Sequence, residues 1–273
     1  MKTSSIMSLV LICSVVAWAA PQATPEVFTK ITKAPKELEP EATIEEVTES
    51  TTPVVESFPA PGVEPSPTPS PAPATTAASG VPAEQALRWL MNGNVRYVKN
   101  RFRADGRSAK DRERVLTAAT PHAIILAGAD SRVPPEIIFD QMLGEIVVVR
   151  VLGPSLDSSV IASIESALAE SAPQLLVVLG HTHSQIIGKA LKEGESGGSE
   201  SIDRVIADIR SRLKTAEKEN VTPEFAIAAA LNADGIAREL SSRSEIIRKK
   251  VEAKELLIKS ALYRLNTGEV TFY

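Results

Sequence analysis

Four stretches of the chain are nearly continuous in Ile, Val, Leu and Ala: Ala123 to Ala127, Glu145 to Val151, Leu175 to Leu179 and Phe225 to Leu231. Runs of this length and composition predict strands covered on both faces. Between and after them the apolar positions recur at helical spacing, predicting helices over Leu156 to Glu170, Ser184 to Lys192, Glu200 to Asn220 and Asp234 to Lys250. Ahead of them, Ala86, Leu87, Leu90, Met91, Val95 and Val98 predict an amphipathic helix from Pro82 to Phe102, interrupted at Gly93. Arg107 to Ala119 reads as a second helix. Alternating strands and helices imply right-handed crossovers in a parallel sheet. The last stretch differs, because Leu256 to Tyr263 and Val270 to Tyr273 flank the hairpin signal Asn266-Thr267-Gly268. The fold class is therefore α/β: a mainly parallel sheet flanked by helices, with a C-terminal antiparallel hairpin.

The N-terminal third follows a different pattern. Lys2 precedes an apolar stretch from Ile6 to Trp18, which ends in Ala17-Trp18-Ala19. A charged start, a short apolar region and an A-x-A site make a secretory signal peptide over residues 1–19. The apolar stretch is short for a bilayer span. Bulky Ile12 before Cys13 argues against lipidation. Residues 20–81 read as a disordered linker rich in Pro, Thr and Glu. From Pro21 to Pro82 the chain carries thirteen of its nineteen prolines, and apolar residues are too sparse to offset ordering entropy. The folded domain is expected over residues 82–273, secreted to an extracellular or periplasmic space.

Charge and cysteine content narrow the chemistry. The linker holds nine Glu against three Lys; taking its net −6 and Lys2 from the formal −4 leaves +1 on the domain. A near-neutral domain gives no reason to expect nucleic acid as a partner, nor membrane insertion once the signal is cleaved. Cys13, the only cysteine, lies in the signal peptide, so the mature protein has no disulfide and no thiolate ligand.

Two short segments stand at the ends of predicted strands, where open α/β sheets bind ligands. One is Gly128-Ala129-Asp130-Ser131-Arg132; the other is His181-Thr182-His183-Ser184. With their surroundings they resemble the β-class carbonic anhydrases, whose motifs are Cys-x-Asp-Ser-Arg and His-x-x-Cys. Further stretches resemble the same family: Asn92 to Tyr97, Val133-Pro134-Pro135-Glu136, Leu143 to Arg150, Ile246-Ile247-Arg248 and Leu265 to Val270. The likeness runs from Pro82 to Tyr273. It implies a zinc held by two thiolates and one imidazole, which activates water to attack carbon dioxide. It also implies an aspartate–arginine dyad beside the fourth ligand. Carried across, His181 is the imidazole ligand, Asp130 and Arg132 are the dyad, and the thiolate positions fall on Gly128 and Ser184. Pro154 and Gln185 depart from the family at positions that resemble its asparagine and glycine.

Glycine offers no ligand, and a serine hydroxyl resists deprotonation. The expectation is a zinc-free, non-catalytic member acting as a binding or structural module, with no cofactor. The alternative is a carbonic anhydrase with a zinc on a noncanonical set drawn from Asp130, His181 and His183, two imidazoles and a carboxylate. Residues two apart diverge on a strand or a helix, which counts against that set. Each residue also has a plainer reading. Asp130 and Arg132 make a buried ion pair closing a strand end. His181 is a hydrogen-bonded core or cleft histidine, and His122 and His183 lie on the surface or in loops. Ser184 is a helix N-cap. A remaining option is a small oxyanion such as bicarbonate, held by Arg132 and the backbone donors of a helix starting near Pro134. The resemblance implies a homodimer or larger, with Trp89, Leu90 and Tyr97 of the first helix lying on a partner or capping their own core.

Overall fold

A computed structural model describes residues 80–117, 119–217 and 225–273; the expected signal peptide and almost all of the expected linker lie outside the described residues. The chain starts with helix α1, Ala83–Val98, and α2, Ala109–Thr117. Strand β1, Ala123–Gly128, leads to a short α3, Pro135–Ile138, then β2, Ile146–Val151, and α4, Ser158–Glu170. Strand β3, Leu175–His181, is followed by α5, Gln185–Leu191, α6, Glu200–Glu217, α7, Phe225–Arg243, and α8, Glu245–Glu252. Strands β4, Leu257–Tyr263, and β5, Val270–Phe272, complete a five-stranded sheet of order β2-β1-β3-β4-β5. The first four strands in that order are parallel and only β5 is antiparallel, so the expected α/β class holds.

Every residue of β1 and β3 is buried. Successive side chains point to opposite faces, and each face has its own core. Ala123, Ile125, Ala127, Leu175, Val177 and Leu179 pack with Ala86 and Leu90 of α1 and with Phe139. Ile124, Leu126, Leu176 and Val178 pack with Val160 and Ile164 of α4 and Ile236 and Leu240 of α7.

Four expectations are corrected. Phe225 to Leu231 is not a strand but the start of α7. A short apolar run does not separate a buried strand from a buried helix, and this one contains four alanines, the strongest helix formers. Residues 228–234 are all buried, as in a helix enclosed on every side. The fourth parallel strand is β4 instead, so only the second arm of the C-terminal hairpin is antiparallel. Strand β2, expected to be covered on both faces, is an edge strand whose residues are mostly half-buried. Gly93 does not interrupt α1: a Cβ there would lie 1.7 Å from the Phe139 carbonyl oxygen, so glycine is what lets the helix sit against that loop.

Candidate functional site

The parallel register brings the two motifs together. Ala127 pairs with Leu179 across β1 and β3, so Gly128 and His181 emerge side by side at the carboxyl end of the sheet. On the other side of β1, Ala127 pairs with Arg150. The chain then turns at residues 129–134, where Val133 N–H donates to Asp130 O at 3.0 Å.

Asp130 and Arg132 form a bidentate pair. Arg132 Nε donates to Oδ1 at 3.0 Å and Nη2 to Oδ2 at 2.7 Å, and the Arg132 backbone N–H donates to Oδ1 at 2.9 Å. The Arg132 guanidinium also reaches the His183 carbonyl at 3.2 Å, tying the β1 turn to the β3 turn. These bonds hold the Asp130 carboxyl well below the usual carboxylate range, and the same contact raises Arg132. The pair stands at the rim rather than in the interior: the Arg132 side chain is 50% exposed and that of Asp130 22%. The expectation of a buried pair is corrected accordingly.

His181 is enclosed, with its side chain 3% exposed. Neither ring nitrogen makes a hydrogen bond, and Asp130 Oδ2 stands 3.5 Å from Nε2, too far for a good one. The expected hydrogen bonding is therefore not found, although the expected burial is. Burial pushes the imidazole below its ordinary pKa, with Asp130 pulling the other way. The ring lies against Gly128: a Cβ there would meet His181 Cε1 at 2.9 Å and Nδ1 at 3.3 Å, with the Gly153 carbonyl at 4.0 Å.

Ser184 occupies the N-cap position of α5 and is buried, but its side chain makes no capping hydrogen bond. His183 is exposed on a left-handed turn, φ 56°, with its ring 6.3 Å from that of Phe225. His122, expected on the surface, is buried at the foot of β1, edge-on to the Trp89 ring at 5.0 Å.

Three residues of the surroundings escaped the sequence reading. Arg150 donates through Nε to the Gly128 carbonyl at 3.2 Å and through Nη2 to the Asp130 carbonyl. It is the one charged residue in the strand Ile146-Val-Val-Val-Arg-Val, which was the available signal. Asn232, fully buried in α7, donates to the Pro154 carbonyl at 3.1 Å and accepts from Arg212 at 3.3 Å. Arg212 is itself clamped by Glu239 at 2.8 and 2.9 Å. A lone asparagine among alanines marked that position. Asn232, steadied by Arg212, thus anchors at Pro154 the loop whose Gly153 carbonyl borders Gly128.

A parallel α/β sheet whose strand ends carry Asp-Ser-Arg and His-x-His motifs defines the class. A family model described as carbonic anhydrase matches residues 123–270. Carbonic anhydrase 2 of Mycobacterium tuberculosis is 32% identical over 196 residues, spanning 67% of this chain and 89% of that one. The carbonic anhydrase of Mycolicibacterium smegmatis is 31% identical over 191 residues, spanning 68% and 90%. Among solved structures, one of the two tetrameric β-carbonic anhydrases of Sordaria macrospora shares the fold with a TM-score of 0.53 at 17% identity, covering 69% of this chain and 96% of that one. The chain belongs to the β-carbonic anhydrase family.

The family is one of zinc enzymes. The residues at this cleft do not fit a zinc of the two-thiolate, one-imidazole kind. Gly128 has no side chain and Ser184 offers only a hydroxyl, and the imidazole of His181 fills the space into which a side chain at 128 would project. Among the described residues, no group of three or more His, Cys, Asp or Glu side chains is arranged to hold a metal ion.

Proposed function

We propose that this domain is a zinc-free, non-catalytic member of its family, acting outside the cytoplasm as a binding or structural module whose cleft takes a small oxyanion such as bicarbonate. The donor set carries the reading. Structural zinc sites are worth ~10–16 kcal/mol, or about 3–4 per ligand. Two missing thiolates then weaken binding by roughly 6–8 kcal/mol, on the order of 10⁴–10⁶ in affinity. Charge supports the anion. Asp130 offsets Arg132, Arg150 is bonded to backbone carbonyls, and burial keeps His181 neutral at pH 7, leaving a net +1 on these four groups. The signal-peptide pattern of residues 1–19 supports the location, and no helix among the described residues is long and apolar enough to cross a membrane.

The competing reading is carbonic anhydrase activity with zinc on Asp130, His181 and His183. His183 is exposed on a left-handed turn and His181 is buried, which counts against convergence on one ion. One set of measurements separates the two: zinc content after dialysis against zinc, stopped-flow carbon dioxide hydration of that sample, and thermal shift with bicarbonate. The proposal expects substoichiometric zinc, no acceleration, and saturable stabilisation by bicarbonate that Arg150→Gln removes. Stoichiometric zinc, or hydration that His181→Ala removes, overturns it.

The partner in this proposal is a second copy. Leu90 is fully buried in its own core, and Tyr97 hydrogen-bonds the Tyr263 hydroxyl at 2.9 Å, so neither is available as an anchor. The free edge of β2 is more suitable. It is β-branched at five of six positions and borders a cavity of about 470 Å³ lined by Ile137, Leu143 and Ile146. An open apolar edge of this kind invites pairing. Ile137 and Leu143 are 47% and 43% exposed, so the double change Ile137→Asp, Leu143→Asp spares the core. Sedimentation should show a wild-type dimer and a folded monomeric variant; a monomeric wild type overturns the dimer alone.

A further inference from the structure

The hairpin of β4 and β5 has two faces, and one of them carries an unbalanced charge. Leu262 pairs with Thr271 and Tyr263 with Val270, while Tyr273 N–H donates to the Ser260 carbonyl at 2.9 Å. Side chains alternate along strands, so Leu262, Arg264, Thr271 and Tyr273 share one face, opposite that of Tyr263 and Val270. Leu262 and Tyr273 pack there with Ile186 and Ile187 of α5 and Ala228 of α7. Arg264, just past the end of β4, is 9% exposed. Its guanidinium makes one hydrogen bond, from Nη1 to the Thr271 hydroxyl at 2.8 Å, and among the described residues no carboxylate lies within ion-pair distance of it. Glu269, its neighbour across the hairpin, is exposed, and its carboxylate accepts from the Thr267 hydroxyl at 3.2 Å instead. A buried charge without a partner is costly.

Tyr273 adds a second, independent sign. It is 7% exposed, and its hydroxyl, closed off from solvent, has no hydrogen-bond partner. Burial pushes its pKa above the ordinary value while Arg264 pulls the other way, so the field of the guanidinium reaches the hydroxyl, which stays protonated at neutral pH. The Thr271 hydroxyl accepts from Arg264 and has its own proton left to give. Every side-chain polar group gathered here is thus a donor: guanidinium N–H, threonine O–H and tyrosine O–H. A water satisfies the tyrosine hydroxyl but leaves the charge, and a cation is repelled by Arg264. We propose that Arg264, Thr271 and Tyr273 bind a small oxyanion on this face of the β4–β5 hairpin. The planar guanidinium presents two N–H groups to two oxygens of such an ion, and the hydroxyls take what remains. The apolar packing around Tyr273 keeps the occupant to the size of bicarbonate or phosphate. The site shares no residue with the cleft beside Gly128 and stands whether or not that cleft binds an anion.

The test titrates the full-length chain with inorganic phosphate and with bicarbonate, against chloride at equal ionic strength, and follows the arginine Nε–H resonances by nuclear magnetic resonance. Arg264→Gln and Arg150→Gln each assign one resonance by its loss, so the two sites are read separately. The expected result is a saturable shift of the Arg264 signal with phosphate or bicarbonate and none with chloride, retained in Arg150→Gln. Tyr273→Phe keeps the ring packing and removes only the unpartnered hydroxyl. It should weaken the oxyanion about tenfold, the order of one hydrogen bond to a charged group, yet melt no lower than the wild type in chloride. Should Arg264→Gln fail to fold, Arg264→Lys assigns the signal while keeping the charge. A shift confined to Arg150 places the anion in the cleft alone and overturns the proposal. So does an Arg264 signal that ignores both oxyanions, which leaves water as the occupant, or one whose titration Tyr273→Phe does not change.

Discussion

The imidazole of His181 occupies the space directly beside Gly128, so close that any side chain at 128 would meet Cε1 at 2.9 Å. Glycine at 128 leaves the buried ring its place, and neither ring nitrogen makes a hydrogen bond.

Gly128→Ala should therefore destabilise the domain by about 1–3 kcal/mol, the usual cost of overpacking. In the background of His181→Ala the same change should cost much less, because the obstructing ring is gone. Urea denaturation of the wild type, both single variants and the double variant measures the coupling. Additive effects would show that the ring does not lie against Gly128 in solution.

Restoring thiolates tests the geometry of the strand ends. Gly128→Cys with Ser184→Cys should bind about one zinc per chain together with His181, provided the ring swings away from residue 128. Each single variant should bind far more weakly, one strong ligand short. Activity should stay low even with zinc bound, since Pro154 and Gln185 alter the surroundings and a misplaced supporting shell costs about 10–100-fold. Zinc content by atomic emission is the readout. A folded double variant that takes up no more zinc than the wild type would show that Gly128 and Ser184 do not face one ion.

Acid should weaken the fold through its buried histidines. Burial lowers the pKa of both His122 and His181 in the folded state. Each is neutral when folded, whereas the unfolded chain takes up its proton near pH 6.5. Their contribution is complete above about pH 6.5 and is lost as the pH falls from there towards the folded values, by at most about 1.4 kcal/mol per pH unit for each group. Asp130, held low by Arg132, loses its contribution only in stronger acid. Stability should fall between pH 7 and 5, and His122→Phe, which keeps the ring packing on Trp89, should flatten the slope. An unchanged slope would place the titration elsewhere.

Gly93→Ala reverses an ordinary rule. In an exposed helix interior, alanine is favoured over glycine by about 1 kcal/mol. Here the added Cβ would stand 1.7 Å from the Phe139 carbonyl oxygen, a backbone atom that moves only with its loop. The variant should lose about 3 kcal/mol, the upper end of overpacking costs, measured as a lower urea midpoint. A gain in stability would mean that α1 does not pack on that loop.

Much of this architecture was legible in the chain. Three parallel strands and the helices between them follow from apolar periodicity, because burial on two faces demands continuous apolar residues. Asp130, Arg132 and His181 were found for a different reason, the resemblance of the residues at two strand ends to the motifs of a known family. The misreadings share a physical cause. Phe225 to Leu231 satisfies the requirement for burial in either a helix or a strand, and only its packing beside β3 and β4 selects the helix. Gly93 reads as a breaker until Phe139 is seen against it. His122 and His181 are polar residues whose burial depends on neighbours 33 and 53 positions away in the chain, Trp89 and Gly128. Residue order sets which segments must be covered. Which segment covers which, and so whether a vacated ligand position is left open or filled by a neighbouring ring, is decided by long-range packing, because that choice depends on distances between residues that no local pattern encodes.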